Sequence, residues 1–287
     1  MKFGLALSGG ALRGTAHIGV LKALWENNLF PSWVSGTSAG SMFASLYACG
    51  YTPMEMEKIA LKQGKDIFDA DYLGIAGSAV QWLFTRQLHL DGIIKGKKLE
   101  AIFKELTGGR NIKEARVPLA ITAVNINNGQ SVLFVSNKYG MKDSSHLMVC
   151  DEVPIYKAVR ASIAIPVVFK PIMINGMRLV DGGLSDSLPI QVLRDMGAQV
   201  TIGVNIGYSG QMRKEVDNIL EIGNQTIDIM GYHITRLTTG GASLIINPGI
   251  YDVGLTEIEK IPDCIRRGYE TAINYMNLIK SVIKGDK

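Results

Sequence analysis

The sequence predicts an α/β protein built on a parallel sheet. Three observations predict it. The N-terminal third alternates strand and helix patterns, in the order strand, glycine-rich loop, helix, strand, turn, helix. Its strand candidates are short, continuous apolar runs, as in strands buried on both faces. And 287 residues, 47% hydrophobic and 20% charged, suffice for one large domain with a deep core.

Taken in order, Phe3–Leu7 is the first strand and Ser8–Gly14 the glycine-rich loop, followed by a helix through about Glu26. Ser32–Ser35 is the second strand. The small apolar run Ser41–Cys49 reads as a helix, with Gly50 placed to stop it. Residues 53–107 read as a helical insert; within it Tyr72–Phe84 is unusually apolar and suits a lid, a lipid-facing surface or a helix packed on the core. Val117–Asn125 and Gln130–Val135 flank Asn127-Asn128-Gly129, a hairpin signal. Pro154 opens a helix. A second hairpin turns at Asn175-Gly176 and ends at Asp181-Gly182-Gly183. Gln199–Ile206 is a further buried strand, 211–236 a long helix and Leu244–Ile246 a short strand. From Glu257 onward the spacing predicts one closing amphipathic helix. No internal repeat or linker divides the chain, so a single domain over 1–287 is expected.

The totals narrow the function. A net charge of +4 is too small to suggest a nucleic-acid partner, though it is compatible with an anionic lipid surface. Three widely spaced cysteines, Cys49, Cys150 and Cys264, read as reduced thiols of a cytoplasmic protein. No signal peptide is visible, and no run reaches the roughly 18 apolar residues of a spanning helix. Membrane contact is therefore expected to be peripheral.

Two stretches carry chemistry. Gly36-Thr37-Ser38-Ala39-Gly40 is a G-x-S-x-G turn between strand and helix, which exposes a serine for nucleophilic attack. Upstream, "LSGGALRGTAHIG" places backbone N–H groups at a helix start, where they hold an anion. A dinucleotide reading fails on the next strand, "SWVSGTS", which lacks the acidic residue for a ribose. An oxyanion hole is the alternative use of the same N–H groups.

Ser38 needs a base. His17 precedes the serine and suits packing or capping; His89 sits in the helical insert; His146 and His233 lie in segments without a turn or glycine signature, so a structural role suits each. Asp181 sits at a strand end before two glycines, where α/β proteins place reactive groups. An aspartate, with an ordinary pKa near 4, needs desolvation to serve as a base. Asp186 is the nearby competitor, without the strand–Asp–Gly–Gly setting.

These blocks, in this order, resemble the patatin-like phospholipases, and in particular the bacterial branch related to neuropathy target esterase. "LALSGGALRGTAHIGVLKAL" looks like the family's oxyanion block, "VSGTSAGSM" its nucleophile block, "AVRASIAIPVVFKPI" the stretch leading to the aspartate, and "LVDGGLSDSLPI" the D-G-[GA] block. The likeness covers nearly the whole chain and is weakest between about 53 and 115. It implies a three-layer α/β/α fold with a central, mostly parallel sheet. It also implies a Ser–Asp dyad without histidine, metal or cofactor, acting on fatty-acyl esters of phospholipids or lysophospholipids. Ser38 matches the nucleophile and Asp181 the base. Gly9, Gly10, Ala11, Leu12 and Arg13 match the oxyanion loop, and Gly36 and Gly40 the nucleophile elbow. The departure is Ala11, where the family commonly has a third glycine. Two rival functions stay open from sequence. One is an acyltransferase resembling the acyl-carrier-protein transacylases, which place a histidine where Thr37 stands. The other is a non-catalytic lipid-binding regulator.

Overall fold

The computed structural model describes residues 2–68, 96–166, 168–208, 210, 219–254 and 257–285. The apolar stretch 72–84 lies outside the described residues, as does His89. Among the described residues nine strands form one sheet: β1 (Gly4–Leu7), β2 (Trp33–Gly36), β3 (Leu119–Asn125), β4 (Gln130–Val135), β5 (Leu147–Cys150), β6 (Ile172–Ile174), β7 (Met177–Asp181), β8 (Thr201–Val204) and β9 (Leu244–Ile246). The order is β5-β4-β3-β2-β1-β8-β9, with β7 paired to β3 and β6 to β7. The stretch from β3 to β9 through β2, β1 and β8 is parallel. The two expected hairpins supply the antiparallel pairs β3–β4 and β6–β7. At the second, Asn175 (φ 50°) and Gly176 (φ 76°) both take the left-handed conformation of a two-residue hairpin turn. Strand β5 is a short run of four residues that was not among the expected strands; it pairs parallel to β4.

Helices cover both faces, so the layers are α/β/α. Along β1 the alternation is plain. Leu5 and Leu7 join a large cluster with α1 (Ala16–Glu26), α2 (Ala39–Cys49), α3 (Pro53–Phe68), α4 (Lys97–Leu106) and α5 (Ile155–Ser162). Ala6 points the other way, onto Leu188, Ile190 and Leu193 at α6 (Ile190–Asp195). The long helix α7 is described over Ile219–Thr238. The closing amphipathic stretch is two helices rather than one, α8 (Ile261–Asn274) and α9 (Met276–Lys284), parted at Tyr275. Neither glycine nor proline marks that joint. Among the described residues no helix is long and apolar enough to cross a membrane.

Strand β3 organises the region that follows. Along one edge it pairs with β4 from Ala120 to Asn125. The other edge is shared. Its first half pairs with β2, Gly36 opposite Ile121. Its second half pairs with β7, Asp181 opposite Ala123. Because β2 and β7 run in opposite directions, their carboxyl ends meet head to head with only Thr122 between the two registers.

Helices α1 and α8 touch backbone to backbone. A methyl group at Gly19 would fall on the Ile265 carbonyl, and one at Gly268 on the Ala16 carbonyl. Both obstacles are main-chain atoms, which cannot rotate away. Gly268→Ala is therefore expected to lower the unfolding free energy by about 3 kcal/mol, the upper range for overpacking. A urea melt showing a midpoint within error of the parent would contradict this packing.

Candidate active site

Strand β2 delivers the chain into a strained corner. Thr37 follows, held to β1 by its N–H on the Leu7 carbonyl at 3.1 Å. Ser38 then takes φ 51°, ψ −125°, a conformation that costs a non-glycine residue roughly 1–3 kcal/mol. Glycines on either side make the corner sterically feasible: a methyl at Gly36 would strike Gly40, and one at Gly40 would strike the Leu7 carbonyl. Ser38 caps α2 with its backbone but not with its hydroxyl, which stays available. Its N–H donates to Ser162 Oγ at 2.9 Å.

The second hairpin brings Asp181 to the same place. Asp181 Oδ1 accepts the Gly183 N–H at 2.8 Å. Oδ2 is buried and makes no hydrogen bond of full geometry. Burial drives the carboxyl pKa up from 3.8 to about 6; the Ser38 hydroxyl and the Gly183 N–H restrain the rise, and the charge of Asp228 adds to it. Between the two strand ends a chain of hydroxyls closes the seam. Thr37 Oγ1 donates to the Asp186 carbonyl at 2.8 Å, so Thr122 Oγ1, 2.7 Å away, must donate to Thr37. Asp186 is thus used through its backbone. Burial also raises its own carboxyl to about 6. It does not line the cleft where Ser38 and Asp181 meet.

The glycine-rich loop enters from β1. It runs through Gly9 and Gly10 into a 3-10 turn, Ala11–Thr15, that leads into α1. The Gly9 N–H is already engaged, donating to the Ser187 carbonyl at 3.1 Å. Gly9 still lines the cleft beside Ser38. Leu12 turns its side chain into the core. Ala11 has φ 49°, which explains why glycine suits this position better. Arg13 is buried; its Nε donates to the Gly10 carbonyl at 3.3 Å and its Nη2 lies 3.4 Å from Asp228 Oδ2 on α7. The side chain thus spans from the loop to the helix.

The histidines fall into structural roles. His17 is buried, and burial lowers its pKa to about 4, so it is neutral. Its Nε2 faces the Ser8 carbonyl at 2.9 Å and therefore carries the proton. It braces the loop and does not line the cleft. His146 and His233 are exposed.

One cleft gathers Gly9, Gly10, Ala11, Arg13, Ser38 and Asp181. The sequence reading missed its other wall: Tyr208 after β8, and Asp228, Gly231 and Tyr232 on α7. Asp228 had no flanking glycine and no strand end to mark it. Ser162 ends a helix and had neither glycine nor strand end beside it to mark it. No three His, Cys, Asp or Glu side chains form a metal-ligating group among the described residues.

Comparison with known proteins points one way. The family model described as patatin-like phospholipase matches residues 5–194. An uncharacterised NTE family protein of Mycobacterium bovis is 28% identical over 205 residues, 71% of this chain and 49% of that protein. Lysophospholipase NTE1 of Candida albicans is 26% identical over 204 residues, again 71% of this chain but 13% of the relative. The chain thus spans about half the length of the mycobacterial relative and far less of the fungal one. Among solved structures, VipD from Legionella pneumophila superposes with a TM-score of 0.51 at 17% identity, covering 96% of this chain and 66% of that one, which supports the fold.

A carboxyl with a raised folded pKa binds more protons folded than unfolded between pH 3.8 and about 6. Stability therefore falls as pH rises through that window, by up to about 3 kcal/mol above it. Asp181→Asn removes this penalty, so its melting temperature is expected to exceed the parent's at pH 8, the gap closing toward pH 4. Ala11→Gly relieves a positive φ worth about 1 kcal/mol, offsetting the entropy that glycine adds to the unfolded chain. Its unfolding free energy is expected to equal or exceed the parent's; a loss of 1 kcal/mol or more, usual for Ala→Gly in a helix, would refute the strain.

Proposed function

Because the chain belongs to the patatin-like phospholipase family, we propose that it is a serine acyl hydrolase that cleaves fatty-acyl esters of phospholipids or lysophospholipids. One observation carries the reading: the strained Ser38 and the desolvated Asp181 sit at the facing ends of β2 and β7 and line one cleft. The lysophospholipase name of the fungal relative supports the substrate class.

In this reading Ser38 Oγ attacks the ester carbonyl carbon while Asp181 takes its proton on Oδ2, the oxygen with no other partner. The carbonyl oxygen becomes an oxyanion, met by N–H groups from Gly10 onward at the start of the 3-10 turn, since Gly9 is engaged. Collapse of the intermediate breaks the ester C–O bond, and Asp181 returns the proton to the departing alcohol. Water then attacks the acyl-serine, giving its proton to Asp181; release of the fatty acid returns that proton to Ser38. No metal or cofactor takes part in these steps.

A base with pKa about 6 is ionised at pH 7 yet closer to a hydroxyl in proton affinity than an ordinary carboxylate. Ser38→Ala and Asp181→Asn are each expected to lower hydrolysis of acyl esters by a factor of about 10³ or more. The rate, kcat/KM against pH, should rise through an apparent pKa near 6. Asp228→Asn, which removes a repelling charge from the vicinity, should move that limb to lower pH. Retention of full activity by either dyad variant would refute the assignment. Products formed with an added alcohol separate hydrolysis from acyl transfer.

A further inference from the structure

The block "AVRASIAIP" has no role in the chemistry just described, yet it touches both reacting residues. It forms the end of α5 and the turn after it. Ser162, the last residue of α5, accepts the Ser38 N–H on Oγ at 2.9 Å. Two residues on, the Ala164 carbonyl accepts the Asp181 N–H at 2.9 Å. Ser162 and Ala164 are both fully buried. The segment is itself fixed, the Ile163 N–H bonding Val159 and the Ala164 N–H bonding Ala161.

Ser38 has a particular need of such a partner. The residue before it is tied to β1, and the N–H groups after it, at Gly40 and Ser41, bond the carbonyls of Thr37 and Ser38. The Ser38 N–H, at a positive φ, has no strand or helix carbonyl and is met by a side chain instead. Asp181 similarly ends its strand pairing on β3, and its N–H turns to Ala164. Neither bond involves a side chain that reacts; together they fix two backbone positions relative to one rigid turn.

We propose that Ser162, together with the Ala164 carbonyl, is a positioning template that sets the separation between nucleophile and base. The proposal rests on the acyl-hydrolase reading of Ser38 and Asp181. Ser162 acts through Ser38 and touches no reacting atom. Removing its hydroxyl leaves a buried N–H without an acceptor, and the strained corner loses the bond that holds it. Ser38 then samples orientations from which Asp181 cannot take its proton. Substrate binding, which involves other walls of the cleft, is unaffected.

The test compares Ser162→Ala with the equal-sized pair Ser162→Thr and Ser162→Val, which differ only in the hydroxyl. Labelling of Ser38 by a fluorophosphonate and turnover of a p-nitrophenyl acyl ester are measured, with circular dichroism to confirm folding. Ser162→Ala is expected to label at least tenfold more slowly, about 1.4 kcal/mol of barrier. Its kcat should fall by a similar factor while KM stays within twofold. Ser162→Thr should remain faster than Ser162→Val on both measures. A folded Ser162→Ala that labels within twofold of the parent, or Thr and Val variants of equal rate, would overturn the template alone. A parent whose Ser38 resists the label would overturn the hydrolase reading, and the template with it.

Discussion

The arrangement of the cleft depends on one strand edge that is divided between two partners. The first half of β3 belongs to β2 and the second half to β7, and the opposed directions of those strands bring their ends together at Thr122. Hydrogen-bond registers in a sheet are not adjustable by fractions of a residue; a slip would send every side chain to the opposite face. The sheet therefore brings the chain segments that carry Ser38 and Asp181 to facing strand ends. The hydroxyl chain from Thr122 through Thr37 to the Asp186 carbonyl fills the gap that neither ladder covers. Without it a polar seam would be left unsatisfied in the protein interior, at a cost of order 1–3 kcal/mol per group.

Much of this was legible in the sequence, for identifiable reasons. The second hairpin announced itself through Asn175-Gly176, because positive φ at two successive positions admits few residues; in the first, Gly129 alone takes positive φ, at 72°. Gly50 marked the end of α2 for the same reason, with φ 94°. Ser38 and Asp181 stood out because each joined a strand end to glycines. What stayed hidden was non-local. Strand β5 is recognisable only by its pairing with β4. Asp228 reaches the cleft because α7 lies beside Arg13, a relation that no local pattern encodes. The engaged N–H of Gly9 depends on Ser187, and the joint at Tyr275 has no breaker residue. Even Ala11, noted as a departure, acquired its meaning only from a dihedral angle.

Several features here lower stability. Ser38 and Ala11 hold positive φ values, Asp181 is desolvated, and His17 keeps Nδ1 buried without a partner. Such costs are sustained by the surrounding core, where α1 is sealed against α8 by direct backbone contact and the central strands are buried on both faces. Strain concentrates where reactivity is proposed, and the packing around it is what prevents relaxation. The neutral His17 shows the same division: it holds the loop through the Ser8 carbonyl and stays out of the cleft.

Strand β8 has a consequence for the newly made chain. It lies beside β1 in the sheet, and the glycine-rich loop is fastened through it: the Ser8 N–H bonds Val204 and the Ile206 N–H bonds Ser8 Oγ. Those fasteners come after residue 194, where the family match ends. During synthesis, from amino to carboxyl end, Ser38 and Asp181 emerge from the ribosome before the segment that anchors the loop opposite them. A nascent chain stalled short of residue 204 would carry both residues and still lack these two bonds to the loop. The order of synthesis thus makes the complete cleft a late product of translation, its loop fully tied down only once most of the supporting core exists.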